Sequence, residues 1–298
     1  MSSDSPPSLT RLKDGRILML WNNCLRYPYA NGGRHVMHGA VSEDEGRAWR
    51  GFREVARSPM VAEPPPPDGD HGVSSYGVPG LTKEGNIVAA LPWPGGPGGK
   101  SYLLHVDPSW LYEVRQADDF SKGLEQWSIF GTKGVEVVVS PDKPSDHALQ
   151  LRKPETSWPA AAVWNFPAGA KGRLRLRLLL KRGFAGARLS LTDHFSVPFD
   201  ELDENYNLYN FNIGPDGRLA NGKELDPGRW HNLQFDWDCG KGECGITENG
   251  RPLAVLRLTR ETIAGVSYLR LVSTADDTDK EGLLLGSISA DVSQSWPK

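Results

Sequence analysis

The hexapeptide Lys13-Asp14-Gly15-Arg16-Ile17-Leu18 returns in altered form as Lys83-Glu84-Gly85-Asn86-Ile87-Val88, an offset of 70 residues. Each copy places a short acidic-glycine turn between two apolar runs, which is the pattern of a β-hairpin. Two more runs between the copies have the composition of strands. The pattern predicts six strands, over residues 8–12, 16–21, 35–42, 49–56, 78–82 and 86–91.

The spacing of the two copies is typical of a propeller. Residues 58–72 include Pro64–Pro67 and are predicted to form a surface loop, because proline cannot donate to a sheet. Without that loop each repeat has about 50 residues, the length of a propeller blade. Propellers close with about four to eight blades, and residues 1–114 hold only about two. We therefore expect either that further blades precede this sequence or that a partner chain completes the ring.

A second motif, Ser42-Glu43-Asp44-Glu45-Gly46-Arg47-Ala48-Trp49, has the composition of a structural turn. Asp44 is placed to accept hydrogen bonds from the turn backbone, Gly46 to supply a positive φ, and Trp49 to fill the gap between blades. The motif resembles the Asp-box of sialidase-like (BNR-repeat) propellers, Ser-x-Asp-x-Gly-x-Thr-Trp, with Ala48 in place of Thr. This resemblance implies structural roles for Ser42, Asp44, Gly46 and Trp49, and no catalysis.

Residues 115–298 follow a different pattern, in which short strands alternate with Gly, Asn and Asp turns. Leucines at 174, 176 and 178 alternate with arginines at 173, 175 and 177, so the leucines are predicted to face a core and the arginines solvent. Leu233, Phe235 and Trp237 form a similar apolar face. Gly228-Arg229-Trp230-His231, with the later Asn249-Gly250-Arg251 turn, resembles the laminin-G/concanavalin-like lectin sandwich. The predicted fold is all-β: a partial sialidase-type propeller in residues 1–114 and a jelly-roll β-sandwich in residues 115–298.

The composition excludes several classes of protein. The 34 Lys and Arg residues against 37 Asp and Glu give a net charge of −3, without the basic excess of a nucleic-acid-binding module. No apolar run approaches 18 residues, so no membrane span is expected. Charged residues at 24% and ten tryptophans argue against a disordered chain.

The cysteines bear on the cellular compartment of the protein. Cys239 and Cys244 bracket a short glycine-rich turn and are predicted to form a disulfide, with two unlinked thiols as the alternative. A disulfide implies an oxidising compartment, whereas Met1-Ser2-Ser3-Asp4 begins no signal peptide. Both expectations hold if the chain is the C-terminal part of a secreted, periplasmic or cell-surface protein.

Candidate chemistry concentrates in the predicted loops of residues 1–114. Tyrosine and histidine serve as general acid or base, and tyrosine also as nucleophile, while arginine binds the carboxylate of uronic or sialic acids. The alternative is that these side chains satisfy loop hydrogen bonds. The predicted catalytic residues are Tyr76, His38 and His71, and the predicted substrate-binding residues are Asn22, Arg26, Tyr27, Arg34 and Asp70.

The sialidase resemblance implies a tyrosine nucleophile with a glutamate partner, and Tyr76 precedes a hairpin as that nucleophile does. Leu91-Pro92-Trp93 stands where the glutamate is expected, so no exo-sialidase turnover is predicted for this chain. The resemblance implies a glycoside hydrolase acting on complex or acidic glycans, with an appended glycan-binding sandwich. A non-catalytic glycan-binding protein and a polysaccharide lyase remain alternatives.

Other expectations concern the sandwich. Four aromatic residues are candidates for stacking on sugar rings or for core packing: Trp158, Trp164, Tyr206 and Tyr209. No cofactor is expected, apart from the hypothesis that Asp276, Asp277 and Asp279 help to bind Ca²⁺.

Overall fold

The computed structural model describes residues 7–24, 35–57, 79–92 and 101–293. These residues divide into two compact units: the first reaches Val114 and includes His194–Val197, and the second comprises Arg115–Asp193 and the chain from Pro198 onward. Both units are built almost entirely of antiparallel strands, as predicted. Among the described residues, no helix has the length and apolar character needed to span a membrane.

The first unit contains two small sheets. Strands β1 to β4 form a four-stranded antiparallel meander, and strands β5 to β7 form a three-stranded one that is followed by a 3-10 helix over Pro108–Tyr112. The strands are β1 (Ser8–Arg11), β2 (Ile17–Trp21), β3 (Val36–Ser42), β4 (Arg50–Arg57), β5 (Gly80–Leu81), β6 (Ile87–Pro92) and β7 (Ser101–Val106).

The sequence repeat corresponds to a structural repeat. Gly15 and Gly85 both have φ of 94°, a conformation that favours glycine, and each lies in the turn of one hairpin. Across the turns, the Leu12 N–H donates to the carbonyl of Arg16 at 2.7 Å, and the Thr82 N–H donates to the carbonyl of Asn86 at 2.9 Å. The two sheets therefore begin with the same hairpin.

The second unit is a two-sheet sandwich. Its larger sheet has the strand order β10-β11-β20-β13-β16-β17-β18, with β8 also paired to β20, and its smaller sheet has the order β15-β14-β19-β12-β9. Two further 3-10 segments lie at Glu201–Tyr206 and Pro215–Gly217. The strands are β8 (Arg115–Asp118), β9 (Trp127–Ser128), β10 (Val135–Val139), β11 (His147–Lys153), β12 (Ala161–Gly169), β13 (Lys171–Leu180), β14 (Ala187–Thr192), β15 (Tyr209–Ile213), β16 (Trp230–Asp238), β17 (Glu243–Glu248), β18 (Arg251–Arg257), β19 (Val266–Ser273) and β20 (Asp279–Ser293).

The core of the sandwich follows from the alternation along its strands. The predicted leucine face of β13 and the predicted apolar face of β16 are both buried in one cluster between the two sheets. The same cluster includes Trp164, Phe166 and Tyr209 from the smaller sheet. The prediction of a two-sheet sandwich whose core includes the leucine face of β13 and the apolar face of β16 is confirmed.

The predicted disulfide is absent, because Cys239 and Cys244 are both thiols. The hairpin register places Cys244 opposite Trp237 and not opposite Cys239. Cys239 instead lies in the turn, where its N–H donates to the carbonyl of Ala170 at 2.8 Å. Burial raises the pKa of the Cys239 thiol to about 11 and that of Cys244 to about 12. Without the disulfide, the inference of an oxidising compartment loses its support.

Candidate functional site

Most of the predicted catalytic and substrate-binding residues cannot be placed. Tyr76, His71, Arg26, Tyr27, Arg34 and Asp70 lie outside the described residues. The sialidase-type site therefore stays a prediction from sequence, and only two of its members have a described environment.

Those two members, His38 and Asn22, lie inside the first unit. His38 is 0% exposed, its Nδ1 accepts the Asn23 N–H at 3.1 Å, and burial lowers its pKa to about 3. The Asn22 amide is buried and donates to the carbonyl of Val36 at 2.6 Å. These contacts hold neighbouring backbone in place. Both side chains are buried, which does not fit the catalytic role predicted for His38 or the substrate-binding role predicted for Asn22.

The octapeptide Ser42–Trp49 forms a closed turn. Asp44 Oδ1 accepts the Ala48 N–H at 2.8 Å, and this bond is the main cause that lowers the pKa of the Asp44 carboxyl. The Gly46 N–H donates to Ser42 Oγ at 2.8 Å, with Gly46 at φ of 83°. The indole of Trp49 donates to the carbonyl of Gly46 at 3.0 Å, so the ring folds back on its own turn. Every polar group in these bonds serves the turn itself.

A different candidate site lies in the second unit, on the outer surface of its larger sheet. A groove of about 980 Å³ crosses strands β20, β13, β16 and β17 and is bordered by the segment that follows β8. The surface is polar because these strands turn their leucines and aromatic residues into the core. Its polar lining comprises Asp118, Asp119, Ser121, Lys122, Gln126, Arg175, Arg177, Asn232, Gln234, Thr247, Asn249, Ser287 and Ser289.

Strand register brings the polar residues of the groove into rows. One row runs across four neighbouring strands through Ser289, Arg175, Gln234 and Thr247. A second row runs beside it through Ser287, Arg177 and Asn232. Paired residues in antiparallel strands project to the same side of a sheet, so each row presents hydroxyl, guanidinium and amide groups together.

The two arginines are held in place by neighbouring groups. Arg175 forms an ion pair with Asp291 at 2.7 Å, and Arg177 forms one with Asp142. The Arg177 guanidinium also lies 3.9 Å from the centre of the Trp230 ring, a cation–π arrangement. These contacts fix the positions of the guanidinium donors and offset most of their charge.

The amides of the groove lie at its far side, where Asn232 and Asn249 are exposed and Gln234 is half-buried. Asn232 Nδ2 donates to Asn249 Oδ1 at 3.0 Å, and Gln234 Nε2 donates to Asp236 Oδ2 at 2.6 Å. Each amide bonded in this way still has a donor or acceptor for a ligand, because a primary amide carries two N–H groups and one carbonyl.

The described lining residues include two carboxylates, Asp118 and Asp119, and both accept hydrogen bonds from residues of their own segment. Asp118 accepts the Phe120 N–H and the indole N–H of Trp127, each at 2.9 Å. Hydrogen bonds from Ser121 lower the pKa of the Asp119 carboxyl. Glycoside hydrolysis needs one carboxyl group whose pKa is raised so that it can donate a proton, and the Asp119 shift has the opposite sign.

The remaining sequence hypotheses for the sandwich have mixed outcomes. Trp164 and Tyr209 are buried in the core, and Lys133 lies 4.3 Å from the ring centre of the half-buried Trp158. Tyr206 is exposed. Asp279 accepts the Gly282 and Ala185 N–H groups at 2.7 and 2.9 Å, so both of its oxygens bind backbone. No group of three metal-ligating side chains occurs in the part of the chain that the structure describes.

Sequence reasoning identified the arginine row of β13 but missed the amides and serines beside it. The signal was present, since Asn232, Gln234 and Asp236 alternate with the predicted apolar face of β16. The missing information was the register, because β13 and β20 are adjacent in the sheet but about 100 residues apart in sequence.

No protein-family model and no curated protein matches this sequence. Among solved structures, the chain is similar to a sialidase at 12% identity and a TM-score of 0.47, covering 97% of this chain and 32% of that one. A Trypanosoma rangeli sialidase in complex with sialic acid matches at 10% identity and a TM-score of 0.38, covering 98% and 51%. A glycoside hydrolase family 16 endo-glucanase from Bacteroides ovatus matches at 12% identity and a TM-score of 0.39, covering 59% and 99%.

The chain thus spans about a third of the length of the first of these sialidases and about half of the second. At these identities and TM-scores, the comparisons assign neither a family nor a substrate to the chain.

Proposed function

We propose that the second unit binds an oligosaccharide in the groove of its larger sheet and serves as the carbohydrate-recognition part of a glycan-active protein. The observation that carries this proposal is the convergence of hydroxyl, amide and guanidinium side chains from four neighbouring strands on one open groove. Sugar hydroxyls both donate and accept hydrogen bonds, and Ser, Thr, Asn and Gln side chains offer both functions.

The charges of the groove favour a neutral oligosaccharide. Its cations are Arg175, Arg177 and Lys122, and four carboxylates are nearby: two in the lining, together with the ion-pair partners Asp291 and Asp142. Arg115 also forms an ion pair with Asp291, at 2.7 Å. With Arg115 included, four positive charges against four negative ones leave no positive excess that would attract a uronic or sialic acid.

The carboxylates favour binding over hydrolysis. A glycosidase uses a pair of carboxyl groups, one of them protonated, on either side of the scissile bond. Asp118 and Asp119 are instead committed to backbone and side-chain donors of their own segment. Sialidase-type hydrolysis by the first unit remains a separate prediction that rests on Tyr76 and its neighbours in sequence.

Calorimetric titration of the full chain with a neutral glucan hexasaccharide and a uronic acid hexasaccharide tests the proposal. The neutral ligand is expected to bind more tightly, and Gln234→Ala is expected to weaken it about fivefold, the effect of losing one hydrogen bond. The control is Asn212→Ala, which removes an exposed amide from the smaller sheet and leaves the groove unchanged.

Two results would contradict the proposal. One is the absence of binding to neutral oligosaccharides at millimolar concentration, and the other is an equal loss from the Asn212 control. Tighter binding of the uronic acid ligand would refute the choice of a neutral glycan.

A further inference from the structure

The groove on the larger sheet is a narrow stripe that crosses the strands. Its lining comprises residues 175–177 of β13, 232–234 of β16 and 287–289 of β20, and the register places these three segments side by side. Along the strands the stripe therefore measures two residue steps, or about 7 Å. Across the strands it extends from β8 to β17, over four strand spacings or about 19 Å.

The surfaces at the two long sides of the stripe differ from its lining. On one side, Arg173 and Asp236 form an ion pair at 2.5 Å, so their charged groups bind each other. On the other side, Trp230 packs against Leu179 and Leu284 in a small apolar cluster on the same outer surface. A ligand that followed the strands would leave the polar lining within a few residues in either direction. The surface therefore favours a ligand that runs across the strands.

The polar lining repeats from strand to strand. Within a strand, residues two positions apart project to the same side, so each strand that crosses the stripe can present two polar side chains to it. These pairs repeat at the strand spacing of about 4.8 Å. They are Ser287 and Ser289 on β20, Arg175 and Arg177 on β13, Asn232 and Gln234 on β16, and Thr247 of β17 with Asn249 just after it.

A sugar chain of one particular shape has a matching repeat. In an extended chain of pyranose rings with equatorial linkages, each ring adds a length close to one strand spacing, and the hydroxyl groups point sideways from the ring edges. The row through Arg175 and the row through Arg177 lie on the two sides of such a chain and offer hydrogen bonds to both edges. A chain with axial linkages curves, so its successive rings depart from the strand spacing.

We infer that the groove binds a linear glycan with equatorial linkages, laid across the strands with one ring to each strand. The inference rests on the proposed function and adds to it the linkage, the direction and the length of the ligand. Four strands carry the polar pairs, and the segment after β8 borders the end of the stripe. The affinity is therefore expected to rise with chain length up to about four or five rings.

The linkage and the length are tested by calorimetric titration of the full chain with two glucose series, which differ only at the linkage. For the β-1,4-linked series of two to six rings, the affinity is expected to rise about fivefold per ring and to level off at about four or five rings. The α-1,4-linked hexasaccharide is expected to bind at least about tenfold more weakly than its β-1,4-linked counterpart.

The direction is tested by variants at equal reach from the centre of the stripe. Thr247→Ala and Ser289→Ala alter the two ends of one row, so each should weaken the β-1,4-linked hexasaccharide about fivefold and shorten the length at which the affinity levels off by about one ring. The disaccharide should keep its affinity, because it can bind to the inner strands. The control is Lys171→Ala, an exposed residue of the same surface that lies about 13 Å along β13 from Arg175, and it should leave every affinity unchanged.

The outcomes separate this inference from the proposed function. Equal affinities for the two hexasaccharides, or an affinity that levels off at two rings, would overturn the inference and leave the proposed function standing. A loss from Lys171→Ala without a loss from Thr247→Ala or Ser289→Ala would overturn it as well, because the ligand would then follow the strands. If neither hexasaccharide bound at millimolar concentration, the proposed function itself would be contradicted.

Discussion

Acidification is expected to destabilise the first unit through His38. The imidazole is fully buried, and burial lowers its pKa from 6.5 to about 3. In the unfolded chain its pKa returns to about 6.5, so between those two pH values the unfolded state binds more protons than the folded state. The free energy of unfolding must therefore fall as the pH falls through that window.

The size of the effect follows from the two pKa values. A pKa lowered by about 3.5, from 6.5 to about 3, corresponds to about 5 kcal/mol once the full window has been crossed. Most of that range lies at a pH where other groups also titrate. Between pH 7.5 and 5 the His38 contribution alone is about 2 kcal/mol, which is large beside the usual stability of a domain.

The assay compares the wild type with His38→Asn, whose side-chain oxygen can still accept the Asn23 N–H but does not titrate. Urea unfolding at pH 7.5 and at pH 5 gives the change in the free energy of unfolding for each full-length chain. Between these pH values, the wild type should lose about 2 kcal/mol more of that free energy than the variant. The other histidines are common to both proteins and cancel, apart from His194, whose charge also lowers the pKa of His38. The reasoning would be refuted if the two proteins showed the same pH dependence of stability. It would also be refuted if the His38 imidazole itself titrated near pH 6.5 in NMR spectra.

Two further predictions concern the second unit and the cysteines. Gly217 and Gly222 have nearly equal φ values of 83° and 81°, but a Cβ at Gly217 would lie 1.9 Å from the carbonyl oxygen of Leu225, whereas one at Gly222 would meet nothing within 4 Å. Urea unfolding should therefore show about 1 kcal/mol lost in Gly222→Ala and more than about 3 kcal/mol in Gly217→Ala, and equal losses would contradict the steric explanation. Thiol titration in denaturant without reductant should find all three cysteines, and the folded protein at pH 8 should react slowly at Cys239 and Cys244 because burial raises the pKa of both. A single reactive thiol in denaturant would instead support a disulfide between Cys239 and Cys244.

Local sequence patterns were sufficient for the fold where neighbouring residues determine the structure. The hairpin turns at Gly15 and Gly85 depend on a backbone conformation that glycine adopts freely, and the alternation in β13 depends only on the period of a strand. Both features are encoded within about ten residues.

The patterns failed where tertiary context decides. All seven residues of β3 are buried, so alternation along the strand could not distinguish a structural His38 from a functional one. The predicted pairing of Cys239 with Cys244 was wrong because it assumed the wrong strand register. The turn between β16 and β17 places Trp237 opposite Cys244. The groove depends on which distant strands lie side by side, and one sequence does not specify that.

Strand β20 has a consequence for the order in which the sandwich assembles during synthesis. It pairs with β13 along one edge and with β11 and β8 along the other, so it joins the two halves of the larger sheet. It is also the last strand of that sheet to leave the ribosome. Until it emerges, the β10–β11 hairpin has no partner among the later strands, and the edge of β11 opposite β10 is left unpaired. A stop codon before Asp279, the first residue of β20, would therefore remove the strand that joins the two halves of the sheet and leave them separated and exposed to aggregation.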